Sequence, residues 1–182
     1  HPLEQAPPLY DSTLDATTPF TRLTDNNRLV TSAGPNAKIG IVSTGKSYLD
    51  VREALDSLGI DEVQANEIGL RILKIGMPWP LEPEIIQKFA RDLDLIIVVE
   101  EKRALIESQI KEQLYHWHSD ARPRIVGKYD ENGEWMLQSH GELGPGRIAQ
   151  TIAARLGQFH TSSEMDERLA FLTRKESSLA QQ

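Results

Sequence analysis

Lys74-I-G-M-P-W-P-L-E-P-E-I-I-Q-K-F-A-R-D-L-D-L-I-I-V-V-E-E-K-Arg103 is the stretch that decides the fold. It reads as the end of one strand, a proline-lined turn, a short helix opened by Pro83, and a buried strand. That last strand, Leu95 to Val99, is a continuous apolar run without polar alternation, the pattern of a strand covered on both faces of a parallel sheet. Four consecutive charges follow, Glu100, Glu101, Lys102 and Arg103. They fall at the carboxyl edge, where open α/β sheets place ligands or partners.

Working outward, the strand–helix rhythm repeats. Ile39 to Thr44 is a strand candidate, followed by a helix from about Ser47 to Leu58. Tyr48, Val51, Leu55 and Leu58 share one helical face, and Gly59 stands where a C-terminal glycine cap belongs. Leu70 to Ile75 is a further strand. Pro83 opens its helix at the first turn, where a missing N–H costs nothing, and Ile85, Ile86, Phe89 and Leu93 face inward. Ile106, Ile110, Leu114 and Trp117 line a helix reaching about His116. Ile125 to Tyr129 and Trp135 to Leu137, around Asp130-Glu-Asn-Gly133, read as a strand with a hairpin return. Gly144-Pro145-Gly146 introduces a helix with Ile148, Ile152 and Leu156 on one face.

Strand starts near 39, 70 and 95 have the spacing of βαβ units. The expectation is a three-layer α/β/α domain with a mostly parallel sheet over residues 28–160, Arg28 to Thr31 adding an edge strand. Residues 1–27, with Pro2, Pro7, Pro8 and Pro19 amid Ser, Thr and Asp, read as an extended linker arm. Residues 161–182 read as a connector helix that starts from a Thr161-Ser-Ser-Glu164 capping box and frays after Glu176.

Composition bounds the function. The 182 residues carry a net charge of −7, and their Lys and Arg are scattered among acids, so nucleic acid is not an expected partner. No run approaches the roughly 18 apolar residues of a membrane span, and a cytoplasmic location is expected. The chain has no cysteine, which excludes a thiolate zinc site and a cysteine-ligated iron–sulfur cluster on it. It starts at His1 rather than a methionine, so it reads as a piece of a longer protein.

Each motif has a bland reading beside its chemical one. Gly40-Ile-Val-Ser-Thr-Gly45-Lys46-Ser47 matches a phosphate loop formally. A true phosphate loop begins at its first glycine, because backbone N–H groups must wrap the phosphates. Here Ile41 and Val42 continue an apolar run, so Gly40 reads as a strand residue and Ser43 to Ser47 as the turn into a helix. A free-standing nucleotide-binding domain using Gly40 to Ser47 is the alternative function. Glu100 and Glu101 are adjacent and point to opposite sides, a poor arrangement for a converging carboxylate pair. A salt-bridged interface edge with Lys102 and Arg103 is the expected role. His116 and His118 diverge on a helix, so no metal site is assigned to them; His140 and His160 have no readable partner. Met77-Pro-Trp-Pro80 is a stiffened turn whose indole either anchors a neighbouring domain or covers this domain's own core.

Three blocks taken together, Gly40-I-V-S-T-G-K-S-Tyr48, Lys74-I-G-M-P-W-P-L-Glu82 and Val98-V-E-E-K-Arg103, resemble the middle domain of the large subunit of indolepyruvate ferredoxin oxidoreductases. The resemblance covers about Lys38 to Leu156, and Arg168 to Lys175 is similar to that family's connector toward a second thiamine-binding domain. It implies a fold like the transketolase C-terminal domain, with a sheet of about five strands. It also implies a parent enzyme that decarboxylates an arylpyruvate on thiamine diphosphate with magnesium. The same resemblance implies that the parent passes electrons through iron–sulfur clusters to ferredoxin, in a homo- or hetero-oligomeric assembly. The family's G-D-G…N magnesium–diphosphate motif is absent here, so the resemblance places no catalytic, cofactor-binding or metal residue on this chain. The implied role is architectural: to orient the thiamine-binding domains of the same polypeptide and support subunit contacts. The expected interdomain rim gathers Gly45, Lys46, Ser47, Met77, Trp79, Pro80, Glu100, Glu101, Lys102 and Arg103.

Overall fold

The structure, a computed structural model, describes residues 27–31, 37–137 and 143–179. The linker reading of residues 1–27 therefore lies, apart from Asn27, outside the described residues. Strands β1 (Arg28–Thr31), β2 (Ile39–Thr44), β3 (Leu70–Ile75), β4 (Leu95–Val99) and β5 (Arg124–Val126) form one sheet in the order β1-β3-β2-β4-β5. β1 runs antiparallel to β3; every other pairing is parallel. The central pairs are in strict register, Ile41 opposite both Ile72 and Ile97. All five residues of β4 are buried, as its unbroken apolar run requires.

Helices cover both faces. On one lie α1 (Gly45–Ser57), α2 (Glu62–Ile68), α5 (Pro145–Leu156) and α6 (Ser163–Leu179), packed with Ile39, Ile41, Ile72, Ile97 and Val99. On the other lie α3 (Pro83–Ala90) and α4 (Leu105–Gln113), packed with Val42, Leu73, Ile96 and Val98. The alternation of each strand thus feeds two separate cores. A large aliphatic side chain fully withdrawn from water contributes about 1.5–3 kcal/mol, so these two layers hold the domain together.

Gly40 lies inside β2, as its place in an apolar run predicted. A Cβ there would come within 2.6 Å of Leu93 Cδ1 and 2.7 Å of the Phe89 ring. The glycine lets the end of α3 and the turn after it pack directly on the backbone of the central strand. α1 ends as expected: Gly59 has φ +75°, its N–H bonds to Asp56 O at 3.0 Å, and Ile60 N–H bonds to Leu55 O at 2.8 Å. These are the two bonds of a Schellman cap.

Five boundaries differ from the sequence reading. α1 begins at Gly45, two residues before Ser47. α2 was not anticipated; seven residues with only Ala65 fully buried are too short to display a period, yet Asp61 and Gln64 cap them reciprocally. α4 closes at Gln113 instead of about His116, although Trp117 still packs on the core. β5 stops at Val126, and the hairpin return is carried by Met136 N–H to Lys128 O (2.9 Å) and Leu137 N–H to Gly127 O (3.2 Å) rather than by regular strands. In α6 the capping oxygen is Ser162 Oγ, which accepts from Met165 N–H at 3.3 Å, and the helix continues past the expected fraying point to Leu179.

Candidate functional site: the carboxyl rim of the sheet

Because β3, β2 and β4 are parallel, the three segments singled out as a rim all emerge at one edge. β2 passes straight into α1 with no intervening loop, and Gly45 makes the turn at φ +53°, a conformation that favours glycine. A wrapped phosphate loop starting at Gly40 has no residues left to form it. Lys46, in the first turn of α1, lies 3.0 Å from Asp50 and 3.6 Å from Glu101 across the edge. Gly45 to Ser47 and the end of β4 are thereby brought together.

The Met77 to Pro80 turn is held by side chains that reach up from below. Asn27 Oδ1 accepts the N–H groups of Gly76 (3.0 Å) and Met77 (3.3 Å). Gln109 on α4 uses both ends of its amide: Oε1 accepts from Leu81 N–H at 2.8 Å and Nε2 donates to Pro78 O at 2.8 Å. Gln113 Nε2 donates to Leu81 O at 2.9 Å. The Trp79–Pro80 peptide is cis. Trp79 does not cover its own core. It is 61% exposed, on a turn clamped on both sides. Gln109 also donates to Leu105 O (3.0 Å), tying this turn to the first residue of α4. Leu105 is itself partly exposed.

Glu100 and Glu101 point to opposite sides, as adjacent strand-end residues must, but the expected salt-bridged edge with Lys102 and Arg103 is not formed. Glu100 is 4% exposed and turns into the start of α4, accepting the N–H groups of Leu105 (3.0 Å), Ile106 (2.9 Å) and Glu107 (3.1 Å). Those three dipoles are a better partner for a buried carboxylate than a solvated lysine. Lys102 stands in the left-handed region at φ +54°; it and Arg103 are exposed and form no ion pair among the described residues.

The sequence reading missed a buried polar layer beneath this rim. Lys128, 3% exposed, donates its ammonium to the carbonyl oxygen of Glu100. Glu107, also buried, accepts Lys128 N–H at 2.9 Å through Oε2 and pairs with Lys111 through Oε1. A Cβ at Gly127 would lie 2.3 Å from Glu107 Oε2, so any larger residue there would displace this carboxylate. Burial pushes the Glu100 carboxyl above its ordinary value, against the pull of three N–H donors and Lys128. Burial likewise pushes the Lys128 ammonium down, against the nearby Glu100, Glu107 and Glu101. One signal for this layer was present: Gln109 and Gln113 interrupt the apolar stripe of Ile106, Ile110 and Leu114 at helical spacing. Among the described residues no group of three or more potential metal ligands converges; His140 lies outside them.

A family model for the indolepyruvate oxidoreductase domain matches residues 29–179. The chain belongs to the indolepyruvate oxidoreductase domain family. It is 42% identical over 125 residues to indolepyruvate oxidoreductase subunit IorA of Pyrococcus horikoshii, covering 68% of this chain and 17% of that protein. To the same subunit of Thermococcus kodakarensis it is 38% identical over 122 residues, covering 67% and 16%. This indolepyruvate oxidoreductase domain therefore spans about a sixth of the length of the curated relatives it matches. A solved 2-oxoglutarate:ferredoxin oxidoreductase from Magnetococcus marinus superposes with a TM-score of 0.47 at 17% identity, over 81% of this chain and 24% of that one. No helix among the described residues is long and apolar enough to cross a membrane.

Proposed function

We propose that this domain is a non-catalytic module of a thiamine-diphosphate-dependent arylpyruvate:ferredoxin oxidoreductase. It joins and orients the thiamine-binding domains of the same polypeptide and supports contacts between subunits. Family membership supports an oxoacid oxidoreductase as the parent. The cofactors implied for that parent do not fit the residues present: there is no cysteine to hold an iron–sulfur cluster, and no metal-ligand cluster among the described residues. We assign thiamine diphosphate, magnesium and the clusters to other domains of the parent.

The observation that carries this reading is the Trp79 turn. An exposed indole fixed by the Gln109 clamp loses little conformational freedom on docking, which is the signature of an interface anchor. Leu105 extends its apolar surface, and Lys102 and Arg103 stand on the connection leading to it as cations for an acidic partner face. In the parent enzyme, Trp79→Ala with Lys102→Glu and Arg103→Glu is expected to weaken assembly and lower ferredoxin-linked turnover at least tenfold, for a loss of about 2 kcal/mol at a buried anchor. Unchanged assembly, measured by sedimentation, together with unchanged turnover would sink the proposal. The alternative nucleotide-binding reading has nothing to support it once Gly40 is a strand residue packed under Phe89.

A further inference from the structure

The two edges of the sheet end differently. At the β5 edge the chain returns on itself, with Met136 and Leu137 bonded to Lys128 and Gly127 just past the strand. At the other edge β1 pairs with β3 alone, and among the described residues no backbone bond reaches its outer side. β1 offers four residues, about 13 Å of open strand. An open edge is a template for another extended chain. Two features blunt it against indiscriminate pairing: the charge of Arg28 and the irregular register between Leu29 and Thr31. A partner must therefore find side-chain contacts as well as main-chain ones.

Such contacts are present beside the strand. Val30 and Thr31 of β1, with residues of α1 and α2, line a groove of about 310 Å³. Its floor is apolar, made by the buried Leu55, Ile60 and Ile72. The volume is at the lower limit for a small-molecule site and suits one or two side chains. Its mouth is acidic: Asp56, Asp61 and Glu62 stand against Arg52, whose guanidinium donates to Tyr48 Oη at 3.3 Å. Asp61 is drawn into the cap of α2. Asp56 and Glu62 are exposed, and their carboxylates form no hydrogen bond or ion pair among the described residues. Val63, 64% exposed, adds apolar surface beside them. A cation on an apolar stem matches both floor and mouth, and Lys and Arg side chains have that form. Arg28 does not line the groove, so the basic side chain belongs toward the Thr31 end of β1.

We propose that the outer edge of β1 and this groove receive an extended segment of the parent polypeptide. The segment runs alongside β1 and turns an apolar residue and a Lys or Arg, two positions apart, into the groove. Residues two apart on a strand share a face. Main-chain bonds to the edge supply the pairing, and the groove supplies the selection. This chain spans about a sixth of the length of its curated relatives, so the parent has ample chain outside it to provide the segment. The surface shares no residue with the Trp79 rim. It rests on the module reading only for the source of the segment.

The test titrates a blocked heptapeptide, with threonine at its odd positions and valine, lysine and valine at its even ones, into the 182-residue chain and follows the amide resonances. Saturable shifts at Leu29, Val30, Asp56 and Val63 are expected. Replacing the peptide's lysine by glutamate, or combining Asp56→Asn with Glu62→Gln in the protein, should weaken binding roughly fivefold or more. Both carboxylates are exposed, so the double variant should fold. Glu112→Gln, an exposed acid on α4, should leave the affinity unchanged. No saturable shift, or equal affinity for the lysine and glutamate peptides, overturns the proposal. So does binding that appears only when the chain is shortened to begin at Asn27, because the groove then belongs to residues 1–26. In the parent enzyme the groove should be occupied and the peptide should not bind. A parent that binds it as the isolated chain does overturns the assignment to its own polypeptide and leaves the role of the Trp79 rim standing.

Discussion

The helices of the α3/α4 face and the α1–α5 pair on the other face start differently, and the difference separates starts that the domain caps with its own side chains from starts that it leaves uncapped. On the α3/α4 face, Glu82 and Glu100 are buried to satisfy helix N–H groups, and Gln109 and Gln113 tie the Trp79 turn to α4. Both helix starts there and the Trp79 turn are closed by the chain's own side chains. On the other face Asp61 and Ser162 cap α2 and α6, whereas α1 and α5 start from Thr44–Gly45 and Gly144–Pro145 with no side-chain cap. The lesson is that fold-holding polar groups and available polar groups can be told apart by asking which helix starts are already occupied.

The largest break in that contrast comes from Glu100→Ala. It deletes three charge-assisted hydrogen bonds and removes the carboxylate that most favours the charged Lys128, so unfolding in urea is expected to show a loss of about 3 kcal/mol. Glu100→Gln keeps one acceptor and is milder, and it also changes the response to pH. The folded carboxyl titrates above its unfolded value, so the native state holds the proton more tightly. Wild-type stability therefore falls as pH rises through the region above about 4.5, and Glu100→Gln should flatten that slope. A slope identical in both proteins would mean that the three N–H groups and Lys128 just cancel burial, and a wild-type slope of opposite sign that they outweigh it.

Next in size, Gln109→Leu leaves Leu81 N–H and Pro78 O without partners and should cost about 1–2 kcal/mol. Its clearer signature is mobility of the Trp79 indole, read as a drop in fluorescence anisotropy with Trp117 and Trp135 replaced by phenylalanine. Smallest is Arg147→Glu, which supplies the first turn of α5 with the acid it lacks. A gain of about 0.3–1 kcal/mol is expected. A destabilisation would show that Arg147, through Met136 O, matters more than the helix dipole.

The apolar pattern carried most of the architecture. Ile39 to Thr44, Leu70 to Ile75 and Leu95 to Val99 were legible because two-sided burial keeps their sequences largely apolar, without interruption in β4 and broken in β3 only by Arg71 and Lys74. α2 was not, since its signal is the Asp61–Gln64 cap and not a stripe. The rim was legible as a place, because parallel strands deliver their carboxyl ends to one edge. The roles on it were not. Glu100 read as part of a salt-bridged edge with Lys102 and Arg103 until its neighbour in space proved to be the start of α4. Lys128 is a single polar residue just past the end of β5, and only the fold brings it under Glu100 O.

Gly40 has an evolutionary corollary. With the Phe89 ring and Leu93 seated where a side chain at position 40 would stand, positions 40, 89 and 93 share one fixed volume and cannot drift separately. Members of this family that carry a larger residue at the first position should carry a smaller one at the others. Compensated swaps of that kind would mark how closely the α3 region is allowed to approach the sheet across the whole lineage.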